Sequence, residues 1–256
     1  MARKPAWVVE KERAENASVW LFGLHAVRDA LANPARRKLR LILTKNAADR
    51  LSDVLATCDI PVEQADARKF PAPLDPGSVH QGAALEVRPL AWGGLEQVVP
   101  ETGPSLVLLL DRVTDPHNVG AILRSAEVFG ASAVIAPARH SAPETGALAK
   151  TASGALERQP YIRVKNLSQT IEEMKKRGFQ VIGLDGQADV SLEISLTTAG
   201  NRVALVLGAE GPGLREKTRD TCDRLARIPS AGAFGSLNVS NAAAVSLYAV
   251  ARQETS

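Results

Sequence analysis

The sequence predicts an α/β protein in two parts, a C-terminal parallel sheet covered by helices and, before it, a small αβ domain. Three observations predict this. From Ser105 onward, β-rich apolar runs alternate with stretches of helical spacing, and strands apolar on both faces belong to a parallel sheet buried between helices. Ahead of it, shorter strand-like and helix-like stretches alternate in the same way. Between them "RPLAWGGLEQVVPETGPS", Arg88 to Ser105, clusters Pro and Gly as an interdomain linker would. The expected boundaries are a basic flexible tail over 1–17, the small αβ domain over 18–89, a linker over 90–104 and the main domain over 105–256.

In the first part "SVWLFG", "KLRLILT" and "AALEV" read as strands. "GLHAVRDALAN" and "NAADRLSDVLATC" read as helices, with Val27 and Leu31, then Leu51 and Leu55, on one face. In the second part the strands are "SLVLLLD", "SAVIAP", "FQVIGLD", "RVALVLG" and "RLARIP". Helical patterns fall over 118–129, 145–157, 213–222 and 239–253.

A chain of 256 residues, 45% hydrophobic and 23% charged, buries a sizeable core. The N-terminus lacks the apolar core of a secretory signal, and no apolar run reaches the ~18 residues of a membrane span, so a cytoplasmic location is expected. Cys58 and Cys222 lie far apart with no Cys/His cluster, which argues against a disulfide framework and against a metal site. The net charge of +3 is mild, but "ARRKLR" and Arg3, Lys4, Lys11 and Arg13 concentrate positive charge toward the N-terminus. Such a cluster is either a solvated face or a nucleic-acid contact.

Ligands of open parallel sheets bind where strands end and helices begin, so three loops carry the chemistry. The first, "RVTDPHNVG", offers Asn118 as an N-cap and Gly120 in the first turn, where a missing side chain admits close approach to the backbone. On a helical wheel Val119, Ile122, Leu123 and Ala126 share a face, and Arg124 falls about 160° from its centre. Arg124 is therefore either a solvated charge or a functional group. The second loop, "LGAEGPG", packs three glycines and a proline around Glu210. Its spacing is not the G-x-G-x-x-G of a dinucleotide fold, and no ribose-binding acid follows at the right distance. The third, "IPSAGAFGSLNVSNAAAVSLY", joins a glycine-rich loop to a helix rich in small residues, which suits close packing against another backbone.

In this order, "DPHNVGAILRSAEVFGA", "LVLGAEGPGL" and "IPSAGAFGSLNVSNAAA" resemble the three motifs of the SpoU (TrmH-like) branch of the SPOUT RNA methyltransferases. The stretch from "VWLFGLHAVRDAL" to "VHQGAALEV" is similar to the ribosomal-protein-like RNA-binding domain of 23S rRNA 2′-O-methyltransferases. The resemblance implies methyl transfer from S-adenosylmethionine to a ribose 2′-hydroxyl, a sheet ending in a deep trefoil knot, and a homodimer. It implies a cofactor site at Leu207, Gly208, Ile228 and Leu237, the last three through backbone contacts, with Glu210 and Gly211 shaping the loop, and a catalytic set of Asn118, Arg124, Glu210, Ser236 and Asn238. No metal is expected. Ser230 departs from the methionine common after Ile-Pro in the family, which touches only a side-chain contact near the cofactor.

The family arginine is often described as a general base. A guanidinium protonated up to pH ~12 fits that role poorly, so Arg124 is read as a clamp for the developing alkoxide and the adjacent phosphate. Arg36, Arg37, Lys38 and Arg40 are the RNA-phosphate candidates of the first domain. Lys150, in "KTASGALE", either reaches phosphate or is a helix-surface charge, and "HQG" (His80 to Gly82) reads as a turn. The preferred substrate is a guanosine of 23S rRNA or of a ribosomal assembly intermediate. The N-terminal RNA domain, and a chain that stops after the last catalytic helix, set this above a tRNA guanosine. A catalytically silent RNA binder and a nicotinamide oxidoreductase are the rival classes, and a titration with S-adenosylmethionine separates them.

Overall fold

The computed structural model describes residues 17–231 and 237–253. The expected tail over 1–17, apart from Ala17, and the candidate Ser236 lie outside the described residues. In chain order the elements are β1 (Val19–Phe22), α1 (Leu24–Ala32), β2 (Lys38–Leu43), α2 (Lys45–Arg50), α3 (Ser52–Leu55), β3 (Val62–Gln64), β4 (Ala83–Val87), α4 (Leu95–Val98), β5 (Ser105–Asp111) and α5 (Pro116–Val128). They continue with β6 (Ala133–Pro137), α6 (Gly146–Ala152), β7 (Tyr161–Val164), α7 (Leu167–Lys176), β8 (Gln180–Leu184), α8 (Leu192–Thr197), β9 (Arg202–Gly208), α9 (Glu216–Thr221), β10 (Arg224–Ala226) and α10 (Val239–Gln253).

The chain divides into two compact units, 1–91 with 144–157, and 92–143 with 158–256. In the first, a sheet of order β1-β4-β2-β3 is antiparallel except for the β2/β3 pair. Leu21, Leu41, Leu43 and Leu85 of its strands, Val27 and Leu31 of α1, and Leu51 are buried. The second predicted helix of this part breaks at Leu51, whose φ of −108° leaves the helical range and separates α2 from α3. Residues 144–157 belong to this unit although β6 and β7 flank them in sequence. Gly146 explains how α6 can lie on β1: a Cβ there would stand 2.4 Å from the Trp20 carbonyl oxygen. The predicted helix over 145–157 ends at Ser153, which turns left-handed with φ 53°, and a short 3-10 turn, Ala155–Glu157, follows.

In the second unit the sheet order is β10-β8-β9-β5-β6-β7, with all pairs parallel. Both faces are covered, which is why its central strands are apolar throughout. Val107, Leu109, Ile135, Val181, Ala204 and Val206 face a core completed by Leu167, Ile171 and Met174 of α7. On the other face α5 and α10 pack together, and α10 also lies against β9. Val119, Ile122, Leu123 and Ala126 are fully buried, as their spacing on α5 requires. The stretch expected to link two domains is more ordered than its Pro and Gly suggest. Leu95 and Val99 enter the core of this unit, and Arg202 donates to the carbonyls of Pro100 (2.8 Å) and Gly103 (2.9 Å).

Candidate functional site

α5 starts three residues earlier than its polar sequence suggests, because Asp115 and not Asn118 is its N-cap. The Asp115 carboxylate accepts from the His117 N–H at 2.9 Å, and Pro116 occupies the first turn. Asn118 is thereby carried inside the helix, 8% exposed, and its side chain is turned to other partners.

Those partners come from the two later loops. At the end of β9, Gly208 pairs with Asp111 of β5, and a Cβ on Gly208 would stand 2.1 Å from the Gly213 carbonyl carbon. Only glycine lets the loop fold back so tightly, with Gly213 N–H donating to the Ala209 carbonyl at 2.9 Å. Asp111, 1% exposed, closes the loop's far side by accepting from the Arg215 backbone N–H (3.0 Å) and its Nε (2.7 Å).

The loop holds Glu210 against α5 and α10. Its Oε1 accepts from Asn118 Nδ2 (3.2 Å), from Asn238 Nδ2, and from the backbone N–H of Val239 (3.4 Å). Asn238 Nδ2 also donates to Asn118 Oδ1 at 3.0 Å, while Asn238 Oδ1 accepts from the Ser240 backbone N–H (2.9 Å) and Oγ (2.6 Å). Asn118 and Glu210, 92 positions apart, lie beyond the carboxyl ends of the adjacent strands β5 and β9, and Asn238, 28 positions further on, joins them from the start of α10. The carboxylate sits at the start of α10, where the helix dipole favours negative charge.

Arg124 is exposed on α5 and, among the described residues, makes no ion pair or side-chain hydrogen bond. Glu210 Oε2 likewise has no hydrogen bond among the described residues. Leu207 is buried at the end of β9, Ile228 is half-buried and Leu237 is 47% exposed. Gly211 and Gly213, with φ of 83° and 68°, have nothing within 4 Å of where a side chain would lie. These features suit a bound cofactor with hydroxyl, amine and apolar parts: a free carboxylate oxygen, open backbone and the exposed side chain of Leu237. Among the described residues no group of His, Cys, Asp and Glu could hold a metal ion.

Asp111 and Arg215 are not among the residues the sequence singles out. A carboxylate closing the otherwise apolar run "SLVLLL" is the signal for Asp111; Arg215 carries none.

The basic residues of the first unit divide. Arg36 is a correction: only 2% exposed, it is engaged within the protein and not available to RNA. Its guanidinium bonds Glu157 through Nε (3.0 Å) and Nη2 (2.7 Å), and Glu144 through Nη1 (3.0 Å). Burial opposes the charge on Arg36, but the two glutamates outweigh it and hold the guanidinium protonated. Burial also pushes the Glu144 carboxyl above the usual carboxylate range, against the pull of Arg36. Arg40 makes a forked pair with Glu63 at 2.9 Å for both bonds, and Lys38 donates to the Asn33 carbonyl at 3.0 Å. Lys150 is half-buried, its ammonium 5.9 Å from the Phe22 ring centre. Arg37 is exposed and, among the described residues, has no side-chain partner. His80 to Gly82 form a turn, with φ of 54° at Gln81 and 77° at Gly82. The Gln81 side chain accepts from the Leu24 N–H at 3.1 Å, supplying the cap that Gly23 cannot.

Fold and cluster together define a ligand-binding α/β protein whose chemistry lies at the carboxyl ends of a parallel sheet. Residues 105–248 match the SpoU rRNA Methylase family, and residues 20–92 match the RNA 2'-O ribose methyltransferase substrate binding family. The chain belongs to the SpoU rRNA methylase family. It is 42% identical over 243 residues to the 23S rRNA (guanosine-2'-O-)-methyltransferase RlmB of Pseudomonas aeruginosa, covering 92% of this chain and 96% of that one. To the protein of the same name from Pseudomonas putida it is 40% identical over 241 residues, covering 91% and 96%. Among solved structures, the SpoU methyltransferase AviRb from Streptomyces viridochromogenes in complex with AdoMet has the same fold, with a TM-score of 0.76 at 23% identity over 99% of both chains.

Proposed function

We infer that this protein transfers the methyl group of S-adenosylmethionine to a ribose 2′-hydroxyl of RNA, with a guanosine of 23S rRNA as its substrate. The observation that carries the reading is the Asn118–Glu210–Asn238 cluster, with Arg124 exposed on the same helix as Asn118. The relatives named for 23S rRNA guanosine support the substrate.

Bound S-adenosylmethionine supplies a methyl group on a sulfonium, a good leaving group. The Gly208–Gly213 loop, with the backbone of Leu207 and Ile228 and the exposed Leu237, would hold it, and Glu210 Oε2 would be free to accept a hydrogen bond from it. The remaining difficulty is the nucleophile, since a ribose hydroxyl scarcely ionises near neutral pH. Arg124 stabilises the developing alkoxide and grips the adjacent phosphate, while the proton leaves to a phosphate oxygen or water. Asn118 and Asn238 keep the Glu210 carboxylate in place. Ser236 remains part of the proposed set.

We further propose that 18–89 presents RNA to the catalytic part, 105–256, and that the last two motifs form a trefoil knot. The knot is supported by β10 at the sheet edge beyond β8, followed by a return of α10 to β9 and α5. A cytoplasmic homodimer completes the reading. It is supported by Val128, Val245 and Tyr248, which leave apolar surface on α5 and α10 at 69%, 44% and 50% exposure. No helix among the described residues is long and apolar enough to cross a membrane. Calorimetric titration with S-adenosylmethionine, and mapping of 2′-O-methyl sites in rRNA from a deletion strain, test the reading. Binding heat and the loss of one guanosine modification are expected; an unchanged rRNA methylation pattern overturns the substrate.

A further inference from the structure

The loop after β6, residues 138–142, is held with unusual thoroughness for a surface connection. Its ends are tied by Ala138 N–H to the Val164 carbonyl (2.7 Å) and by Ala142 N–H to the Val113 carbonyl (3.2 Å). Arg163, on β7, spends its guanidinium on the loop's own backbone. Nε donates to the Pro137 carbonyl at 3.2 Å, Nη2 to Ala138 at 2.8 Å and Nη1 to Ala142 at 3.0 Å. The Tyr161 hydroxyl adds a bond to the Ala142 carbonyl at 2.8 Å. Ser141 and Ala142 are buried, whereas Arg139 and His140 are exposed.

At the tip, His140 adopts a left-handed backbone with φ 59°. A non-glycine residue held there by its surroundings is strained, and such strain concentrates at binding sites. The next strand shows the same feature. The strands are neighbours in the sheet, and their last paired residues, Leu109 of β5 and Ile135 of β6, each lie two residues before the strand end, Asp111 and Pro137. Arg112, directly after Asp111, is exposed with φ 62°. Among the described residues the side chains of Arg112, Arg139 and His140 have no carboxylate or hydrogen-bond partner. Two neighbouring strand ends therefore present basic or donor side chains from rigid, strained backbone, on the sheet end that carries Asn118 and Glu210.

We propose that Arg139 and His140, with Arg112, form a phosphate-gripping edge on the catalytic unit, which holds the RNA backbone flanking the nucleotide to be methylated. The inference rests on the proposed function and adds to it a binding surface separate from the N-terminal domain. Guanidinium and imidazole N–H groups both donate to phosphate oxygens, and a rigid loop loses little freedom on contact.

The test uses the full chain and an unmodified 23S rRNA transcript. Arg139→Gln/His140→Gln and Arg112→Gln are expected to raise the Kd for the transcript severalfold, and to make the salt dependence of log K shallower by about 0.7–0.9 per lost arginine contact. The loss falls on KM for the transcript, with affinity for S-adenosylmethionine unchanged. His140→Gly keeps the left-handed turn while removing the side chain, so it is expected to weaken RNA binding without lowering thermal stability. An active parent whose variants keep its Kd and salt slope overturns the phosphate edge alone. A parent that neither binds nor methylates the transcript overturns both this inference and the function on which it rests.

Discussion

Arg36 and Arg124 show how differently one side chain can be used. Arg36 lies between Glu144 and Glu157, and removing it strands two buried carboxylates. Arg36→Met is expected to destabilise the protein by about 3–5 kcal/mol in urea unfolding, with no change in the salt dependence of RNA binding beyond that of the unfolded fraction. Arg124 faces solvent and its charge is not spent within the described residues. If it clamps alkoxide and phosphate through its fork, Arg124→Lys keeps the charge but lowers kcat by about 10²-fold, with the shape of the pH–rate profile preserved. Near-full activity in that variant rejects the clamp. Cys222 provides a third check. Burial pushes its thiol up to about 12, and its Sγ donates to the Thr218 carbonyl at 3.2 Å. With so little thiolate near neutral pH, native Cys222 is expected to resist alkylation, and mass spectrometry after iodoacetamide should find Cys58 labelled first.

At the scale of elements, the Gly208–Gly213 loop is the most exacting piece. Gly208→Ala drives a methyl into the backbone of Gly213 and Leu214. It is expected to cost about 1–3 kcal/mol in stability and to lower affinity for S-adenosylmethionine in calorimetry more than tenfold. An unperturbed affinity would show that the cofactor does not depend on this loop. α5 illustrates what was readable locally. Its apolar stripe places Val119, Ile122 and Leu123 in the core and Arg124 outside, because 3.6-residue periodicity is a property of the segment itself. Its start lies three residues before the one Asn118 predicts, since both Asp115 and Asn118 can cap a helix and only the fold shows which one does. α4, α7, α8, β3 and β7 were not foreseen. α7 is the instructive omission: Leu167, Ile171 and Met174 are correctly spaced, but its charged outer face masks the stripe.

For the whole molecule, the salt dependence of RNA binding is the most informative measurement. Among the N-terminal candidates only Arg37 is both exposed and without a side-chain partner in the described structure, while Arg40 must give up Glu63 to reach a phosphate. Arg37→Gln is therefore expected to flatten the slope of log K against log salt by about one contact, and Arg40→Gln by less, with affinity for S-adenosylmethionine unaltered in both. Equal slopes in parent, Arg37→Gln and Arg40→Gln would remove the N-terminal unit's arginine cluster from RNA recognition.

By itself the sequence determined the α/β class, the buried parallel strands, the three loops and most residues of the polar cluster, because burial periodicity and glycine-rich turns are written locally. Tertiary structure alone decided that Asn118, Glu210 and Asn238 share one hydrogen-bond network, that Asp111 and Arg215 brace it, and that residues 144–157 belong with the N-terminal unit. It also decided that Arg36 is spent on buried glutamates while its neighbour Arg37 faces solvent. Adjacent arginines look alike in a sequence. Their environments differ only once distant carboxylates are brought within hydrogen-bonding distance, and those pairings are set by the packing of the folded chain.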